Sequence, residues 1–311
     1  MIDTLQIKVT ENSNPRLAET EFTDIPFGKT FTDHMFMADY EDGEWKNLQI
    51  LPYGPIAMSP AISALHYGQA IFEGMKAYKS ESGEILIFRG DANARRMNES
   101  AERMCMPTIP EELFLEGLKQ LIDLDREWVP SGKGSSLYIR PFMFAMDNYI
   151  GVKPSESYRF MIFTCPVGAY YNKPVSVKVE TNFTRATEGG TGAAKTAGNY
   201  AAAMLATANA KKLGYDQVLW TDAFEHKYVQ EIGTMNVFFR INDTLYTAPT
   251  SERILDGVTR KSVIELAQRE QINIEVRPIL VEELIATAKN GSLKEIFGAG
   301  TAAVINPIAG F

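Results

Sequence analysis

Little in this chain invites metal, thiol or nucleic-acid chemistry. Only two cysteines occur among its 311 residues, Cys105 and Cys165, and they lie far apart, so they form neither a disulfide framework nor a CxxC pair. Reduced thiols are the expectation. Histidine is almost as scarce. His34, His66 and His226 have no second metal-type ligand at a recognisable spacing, and no metal site is expected. There is no GxSxG elbow, and neither cysteine sits in a nucleophile motif, which leaves nucleophilic hydrolysis unsupported. Positive charge is outweighed, with 31 Lys and Arg against 39 Asp and Glu, a net charge of -8 and no basic run, so nucleic acid is not an expected partner. No apolar stretch approaches the length of a membrane span. The opening Met1-Ile-Asp-Thr-Leu5 lacks the basic and apolar regions of a signal peptide. These absences predict a soluble, cytoplasmic protein with no membrane partner.

The composition is that of an ordinary globular chain, 45% apolar and long enough for two domains. Residues 1–167 read as an N-terminal mixed α/β domain. Extended segments are expected at Phe31–Tyr40, Ile85–Phe88, Ser136–Met146 and Tyr158–Pro166, and helices at Ala92–Met104 and Pro110–Val129. In the second helix Phe114, Leu118, Leu121, Ile122 and Trp128 fall near one face and are read as core. Residues 168–174 carry Gly and Pro and break both periodicities, which marks an interdomain loop. Residues 175–311 are read as the C-terminal domain. Its expected order is strand Val175–Glu180, a Gly-rich loop through Gly192, helix Asn199–Leu213, then strands Gln217–Thr221, Tyr228–Glu231, Asn236–Ile241 and Thr244–Thr247. Helix Val258–Glu270, strand Ile272–Val276, helix Val281–Lys289 and a closing strand near Glu295–Phe297 complete it, with Asn242-Asp243 as a tight hairpin turn. The fold class is α/β of the α+β type.

Two residues stand out chemically. Lys195, in Thr191-Gly-Ala-Ala-Lys-Thr-Ala-Gly-Asn-Tyr200, is flanked by small residues with no carboxylate close by, surroundings that suit an amine attacking a carbonyl. Glu231 enters an apolar, strand-like run, and burying a carboxylate is costly unless a cation or a protonated nitrogen meets it. Pyridoxal phosphate would satisfy both, because it offers an aldehyde for a lysine Schiff base and a ring nitrogen whose protonated form needs an acidic partner. Two other motifs compete. Gly189-Gly-Thr-Gly-Ala-Ala-Lys-Thr196 comes within one residue of a P-loop, but Ala194 stands where the second glycine belongs and the preceding strand ends too early. Gly298-Ala-Gly-Thr-Ala-Ala303 fits GxGxxG/A, yet too few residues follow it for a βαβ unit. A turn that offers backbone N–H groups to an anion remains a sound reading of it.

Beyond the two residues, the block Glu231, Asn236-Val-Phe238, Leu245-Tyr-Thr247 and Leu255-Asp-Gly-Val-Thr-Arg260 resembles the class IV pyridoxal-phosphate aminotransferase motif. Phe27-Gly-Lys-Thr-Phe-Thr-Asp-His-Met35, Leu65-His-Tyr-Gly-Gln-Ala-Ile-Phe-Glu-Gly74 and Leu137-Tyr-Ile-Arg-Pro141 look like branched-chain amino acid aminotransferases. The resemblance implies a fold type IV enzyme with its cofactor in the interdomain cleft, a homodimer or larger assembly, and L-leucine, L-isoleucine, L-valine and 2-oxoglutarate as substrates. D-amino acid aminotransferase and aminodeoxychorismate lyase share that fold and stand as alternatives. Carried over residue by residue, Lys195 would bond the cofactor and move the substrate proton, Glu231 would hold the ring-nitrogen proton, and Tyr200 the phenolic oxygen. Arg96 would pair with the phosphate, with its neighbour Arg95 the competing choice, and Val258, Thr259 and Thr301 would add donors. Leu255 would pack on the ring, and Thr234 and Asn236 complete the expected cofactor contacts. Phe27, Tyr67, Phe72, Tyr138 and Tyr170 would line an aromatic wall, Tyr67 coming from the neighbouring subunit. Arg140 would meet the second carboxylate of glutamate, and Thr301 and Ala302 its α-carboxylate. Ala303 and Asn306 stand where animal mitochondrial members carry a CxxC pair, so that thiol switch is not expected; the chain also stops at Phe311, short of the family's usual C-terminus, which predicts a missing tail.

Overall fold

The computed structural model describes residues 5–23, 25–168 and 173–311. The chain divides into two compact units, Met1–Tyr170 and Tyr171–Phe311. In the first, strands β1 (Lys8–Val9), β2 (His34–Glu41) and β3 (Glu44–Pro52) precede a short helix, α1 (Ser63–Tyr67). Strands β4 (Ala70–Phe72), β5 (Met75–Lys79) and β6 (Ile85–Ile87), helices α2 (Gly90–Arg103) and α3 (Glu111–Leu124), and the long strands β7 (Ser136–Ala145) and β8 (Tyr158–Val167) follow. They form one sheet in the order β1-β3-β2-β8-β7-β5-β6, with β4 also paired to β7.

Alternation along β7 decides what each face of that sheet does. Leu137, Ile139, Met143 and Ala145 join the core under α2 and α3. Tyr138, Arg140 and Phe142 therefore point to the opposite face. Helix α3 lies close on β2, since a Cβ at Gly117 would come within 2.8 Å of the Phe36 ring. A mid-helix glycine costs about 1 kcal/mol against alanine, and this approach is the reason for it. The expected helix Pro110–Val129 ends at Leu124, and Arg126–Trp128 continues as a 3-10 turn that buries Trp128.

The second unit begins with β9 (Val175–Val179), then α4 (Ala197–Ala202), α5 (Met204–Lys212), β10 (Gln217–Thr221), β11 (Val229–Ile232), β12 (Met235–Ile241) and β13 (Thr244–Thr247). It closes with α6 (Val258–Arg269), β14 (Asn273–Val276), α7 (Val281–Lys289), β15 (Leu293–Gly300) and β16 (Val304–Gly310). The sheet order is β11-β10-β9-β16-β15-β12-β13-β14, and β11 pairs with β12 as well. The path from β11 through β9 to β12 thus closes on itself around Val175, Val177, Leu219, Val237 and Phe239.

Three differences from the sequence reading have physical causes. The single helix expected over Asn199–Leu213 is broken at Ala203, whose N–H bonds the Tyr200 carbonyl in a 3-10 manner and so interrupts the α ladder. The strand expected near Glu295–Phe297 runs on through Gly298 and Gly300, which were read as part of a turn; their small size lets Met235 pack against both, for a Cβ at Gly298 would meet its Cε at 2.7 Å. Strand β16, which pairs β15 in antiparallel register, was not expected at all.

Candidate active site

Each unit carries its own group of the expected residues. In the first, the repeat of α2 turns Arg95 to solvent, where it pairs with Asp91 at 2.6 Å, and turns Arg96 inward. Arg96 meets the fully buried Glu73 with Nε on Oε1 and Nη2 on Oε2, both at 2.8 Å. That fork-on-fork arrangement is the strong form of the pair. Asn93 Nδ2 at 2.7 Å and the Gly74 N–H at 3.1 Å also donate to Glu73 Oε2. Of the two adjacent arginines, Arg96 is the buried one.

The β7 face brings together four of the expected substrate residues. Arg140 Nη2 donates to the Tyr138 hydroxyl at 2.9 Å, and its guanidinium lies 4.7 Å from the Phe72 ring centroid. Phe27 packs edge-on against Tyr138 with centroids 4.9 Å apart. Gly74 is required here, since a Cβ would sit 2.4 Å from the Tyr138 hydroxyl. Lys76, which the sequence reading did not single out, lies directly across from Tyr138 on β5 and hence on the same face. Burial pushes its amine down to about 8. Cys165 lies opposite Tyr138 on the other side, and burial pushes its thiol up to about 11 although the Arg140 charge acts against this. It is a packing residue in neutral form. Tyr67 is not part of this cluster: it is exposed and donates its hydroxyl to the Ile150 carbonyl. Tyr170 lies outside the described residues.

In the second unit Lys195 stands just ahead of α4, and its Nζ reaches the Tyr200 hydroxyl at 2.8 Å. Asn199, also missed by the sequence reading, holds the loop in place by donating to the carbonyls of Thr191 at 2.7 Å and Ala194 at 2.8 Å. Gly192 answers to a close backbone approach, for a Cβ there would lie 2.7 Å from the Glu252 carbonyl. Glu231 is buried on β11. Asn236 Nδ2 donates to its Oε1 at 3.1 Å and to the Leu255 carbonyl at 2.9 Å, while Arg185 Nη2 meets its Oε2 at 2.6 Å. Gly257 makes room for Asn236, because a Cβ would fall 1.9 Å from its Oδ1. Val258 and Thr259 open α6, whose N-terminus has no side-chain cap, so its first N–H groups lack intrahelical acceptors and suit an anion. Thr301 and Ala302 lie in the turn between β15 and β16, and Thr234 sits exposed in the turn between β11 and β12. Arg185 and Glu73 carried no local signal; each is identified by the partner that folding brings to it.

The donor set of the second unit fits pyridoxal phosphate: an amine beside a phenol, a buried carboxylate and a helix N-terminus. Among the described residues no group of three or more His, Cys, Asp or Glu could hold a metal ion, and no helix is long and apolar enough to cross a membrane.

Comparison with known proteins gives the same direction. The amino-transferase class IV family matches residues 70–311. Branched-chain-amino-acid transaminase 1 of Bacillus subtilis (strain 168) is 52% identical over 91% of this chain and 81% of its own length. Among solved structures, the Escherichia coli branched-chain amino acid aminotransferase has a TM-score of 0.74 at 26% identity, covering 89% of this chain and 86% of that one. The T.th. branched-chain amino acid aminotransferase complexed with N-(5'-phosphopyridoxyl)-L-glutamate has a TM-score of 0.71 at 28% identity, covering 88% and 85%. A cofactor-derived ligand is thus seen on a protein of this fold. The chain belongs to the class IV aminotransferases and, within them, to the branched-chain amino acid aminotransferases.

Proposed function

We propose that this chain transfers the amino group of L-leucine, L-isoleucine or L-valine to 2-oxoglutarate, giving branched 2-oxo acids and L-glutamate, with pyridoxal phosphate as the carrier. When bound, the cofactor supplies an aldehyde that exchanges amino groups and a ring that takes up electrons as the substrate Cα loses its proton. The observation that carries this reading is Lys195 Nζ placed 2.8 Å from the Tyr200 hydroxyl, on the same compact unit as a buried, guanidinium-paired Glu231. Lys195 would hold the cofactor and, at its Nζ, would carry the proton to and from the substrate Cα. Tyr200 would orient that amine, Glu231 would keep the ring nitrogen protonated by accepting its N–H hydrogen bond, with Asn236 steadying the carboxylate, and Leu255 would pack on the ring. The Val258 and Thr259 N–H groups would hold the phosphate, joined by Thr301, with Thr234 at the neighbouring turn, and Arg96 is the guanidinium that the family resemblance assigns to it. Phe27, Phe72 and Tyr138 form an apolar wall that accepts a branched side chain. Arg140, half-buried among them, meets the second carboxylate of glutamate, which explains how one pocket serves two unlike substrates. Thr301 and Ala302 take the α-carboxylate.

A homodimer belongs to the same proposal. Leu65, Tyr67, Ile150 and Val152 expose apolar side chains, Val152 to 85%, and the Tyr67 hydroxyl ties this group together through Ile150. Patches of this kind mark interaction surfaces. Tyr67 would enter the partner's pocket from it. We further read residues 175–311 as the cofactor-binding domain and the cytoplasm as the protein's compartment, in keeping with two free cysteines.

The test is the visible absorption of the cofactor-loaded protein mixed separately with L-leucine, L-glutamate and D-alanine. Both L-amino acids should bleach the visible band while D-alanine leaves it. A response to D-alanine alone would move the assignment to the D-specific relative. Lys195→Ala should keep the fold and lose multiple turnover.

A further inference from the structure

We propose that Arg185 is a positioning residue of the amino-transfer site, whose guanidinium fixes in place and in charge the carboxylate of Glu231 that meets the cofactor's ring nitrogen. This rests on the reading above that Glu231 serves the cofactor.

Glu231 Oε2 lies 2.6 Å from Arg185 Nη2, with the two side chains only 5% and 11% exposed, whereas the Arg277–Glu283 pair of the same unit is 35% and 28% exposed. A pair so far from water gains little net stability over apolar residues of the same size, because desolvation offsets most of the attraction. Its use must be sought elsewhere. Arg185 Nη2 also donates to the Arg253 carbonyl, and to that of Gly192 at 3.4 Å. One guanidinium therefore joins the Lys195 loop, the segment leading into α6, and Glu231. Asn236 secures the other carboxylate oxygen from the opposite side. Arg260 adds a second, more distant positive charge that Glu231 feels, while its own Nη2 is spent on the Ala248 carbonyl at 2.8 Å.

An opposite charge at this distance favours the carboxylate over the carboxylic acid. That choice matters, since only the carboxylate can accept a hydrogen bond from a protonated ring nitrogen and offset its charge. Without Arg185, Glu231 would be a buried carboxylate short of its nearest cation, and taking up a proton would be its cheapest response. It would then no longer hold the ring nitrogen protonated.

The experiment compares wild type, Arg185→Met, Arg185→Lys, Glu231→Gln and the double variant Arg185→Met/Glu231→Gln, each loaded with pyridoxal phosphate. Readouts are the visible spectrum at fixed pH, the cofactor Kd by absorbance titration, and kcat and KM for L-leucine. Arg185→Met should displace the visible band in the same sense as Glu231→Gln, lower kcat about tenfold or more and leave KM within about threefold. Arg185→Lys should restore much of both. The double variant should be no worse than Glu231→Gln alone, since Arg185 then has no carboxylate to act on. It leaves no carboxylate buried and should fold even if Arg185→Met does not. A wild-type band and kcat in Arg185→Met, or a double variant that loses the product of the two single losses, would overturn the proposal. Failure of the wild type itself to take up cofactor would instead sink the functional reading.

Discussion

Two buried Arg–Glu pairs, one in each unit, are built for opposite jobs. In the first unit Glu73 is the support: fully buried, it carries both arms of Arg96 and is itself fed by Asn93 and the Gly74 N–H. Arg96 is the member assigned to a ligand. In the second unit the roles are exchanged, with Arg185 as support and Glu231 assigned to the ligand through one guanidinium contact and the Asn236 amide. The scaffolds differ accordingly. Arg96 stands on a helix of two full heptads' length beside a long sheet, whereas Arg185 and Lys195 stand on the loop between β9 and α4. A cation for a phosphate can sit on a rigid element, because the phosphate keeps one position. The groups proposed to handle protons sit where the backbone can be shaped around them.

The comparison breaks if both carboxylates matter equally to folding. Glu73→Ala removes the carboxylate on which both Arg96 arms rest and should cost about 3–5 kcal/mol of stability, read as a fall in denaturant midpoint. Glu231→Ala should cost clearly less, since Arg185 keeps the Gly192 and Arg253 carbonyls as acceptors. Equal losses would show that the second pair is structural too. A smaller effect concerns Lys76, whose burial holds its amine at about 8 against an ordinary 10.5. Below pH 8 the folded state bears the cost of a buried ammonium. Between about 8 and 10.5 the unfolded chain binds a proton that the folded chain has shed, so this penalty fades as pH rises. Lys76→Met should therefore gain about 2–3 kcal/mol at pH 7, with the advantage over wild type gone near pH 10.5. An advantage that stays flat across that range would show that desolvation is not the cause.

How far the sequence reveals this depends on whether a residue's reason is local. Strand β13 and helix α7 have the bounds that periodicity predicts, and the Asn242-Asp243 turn is where it was expected, with Asn242 at φ 49°. Strand β16 was missed because Pro307 and Gly310 remove its strand signal, although pairing with β15 and β9 supplies what propensity does not. β3 was missed for another reason: its burial does not alternate, so no period of two is written in Glu44–Pro52. In the site, Lys195 and Glu231 were visible as oddities in their own neighbourhoods. Glu73, 23 residues from Arg96, looks like any glutamate until Arg96 is seen to rest on it. Lys76 became notable only through its cross-strand neighbour Tyr138.

Shaped backbone in the second unit can be probed directly. Gly257→Ala would push a methyl to within 1.9 Å of Asn236 Oδ1. The Asn236 amide should then swing off Glu231, at a cost of about 1–3 kcal/mol, and cofactor affinity should fall with it. Unchanged affinity would mean that Asn236 is not needed to steady the carboxylate.

The smallest effect concerns strain beside the proposed carboxylate turn. Val304, next after Thr301–Ala303, has φ 60°, and among the described residues it is the one β-branched side chain at positive φ. The first unit's non-glycine residues at positive φ are Asp42, Asn47, Arg89 and Cys105, none of them branched at Cβ. A valine held there costs on the order of 1–3 kcal/mol. Glycine relieves the clash but returns freedom to the unfolded chain, so Val304→Gly should stabilise by only about 1 kcal/mol. If the strain serves to aim the Thr301 and Ala302 N–H groups, the same variant should raise KM for L-leucine and L-glutamate together while kcat holds. Stability gained with both KM values unchanged would show that the strained turn is an accident of β15–β16 closure. The contrast between rigid and shaped scaffolds would then rest on the Arg–Glu pairs and the loop bearing Lys195.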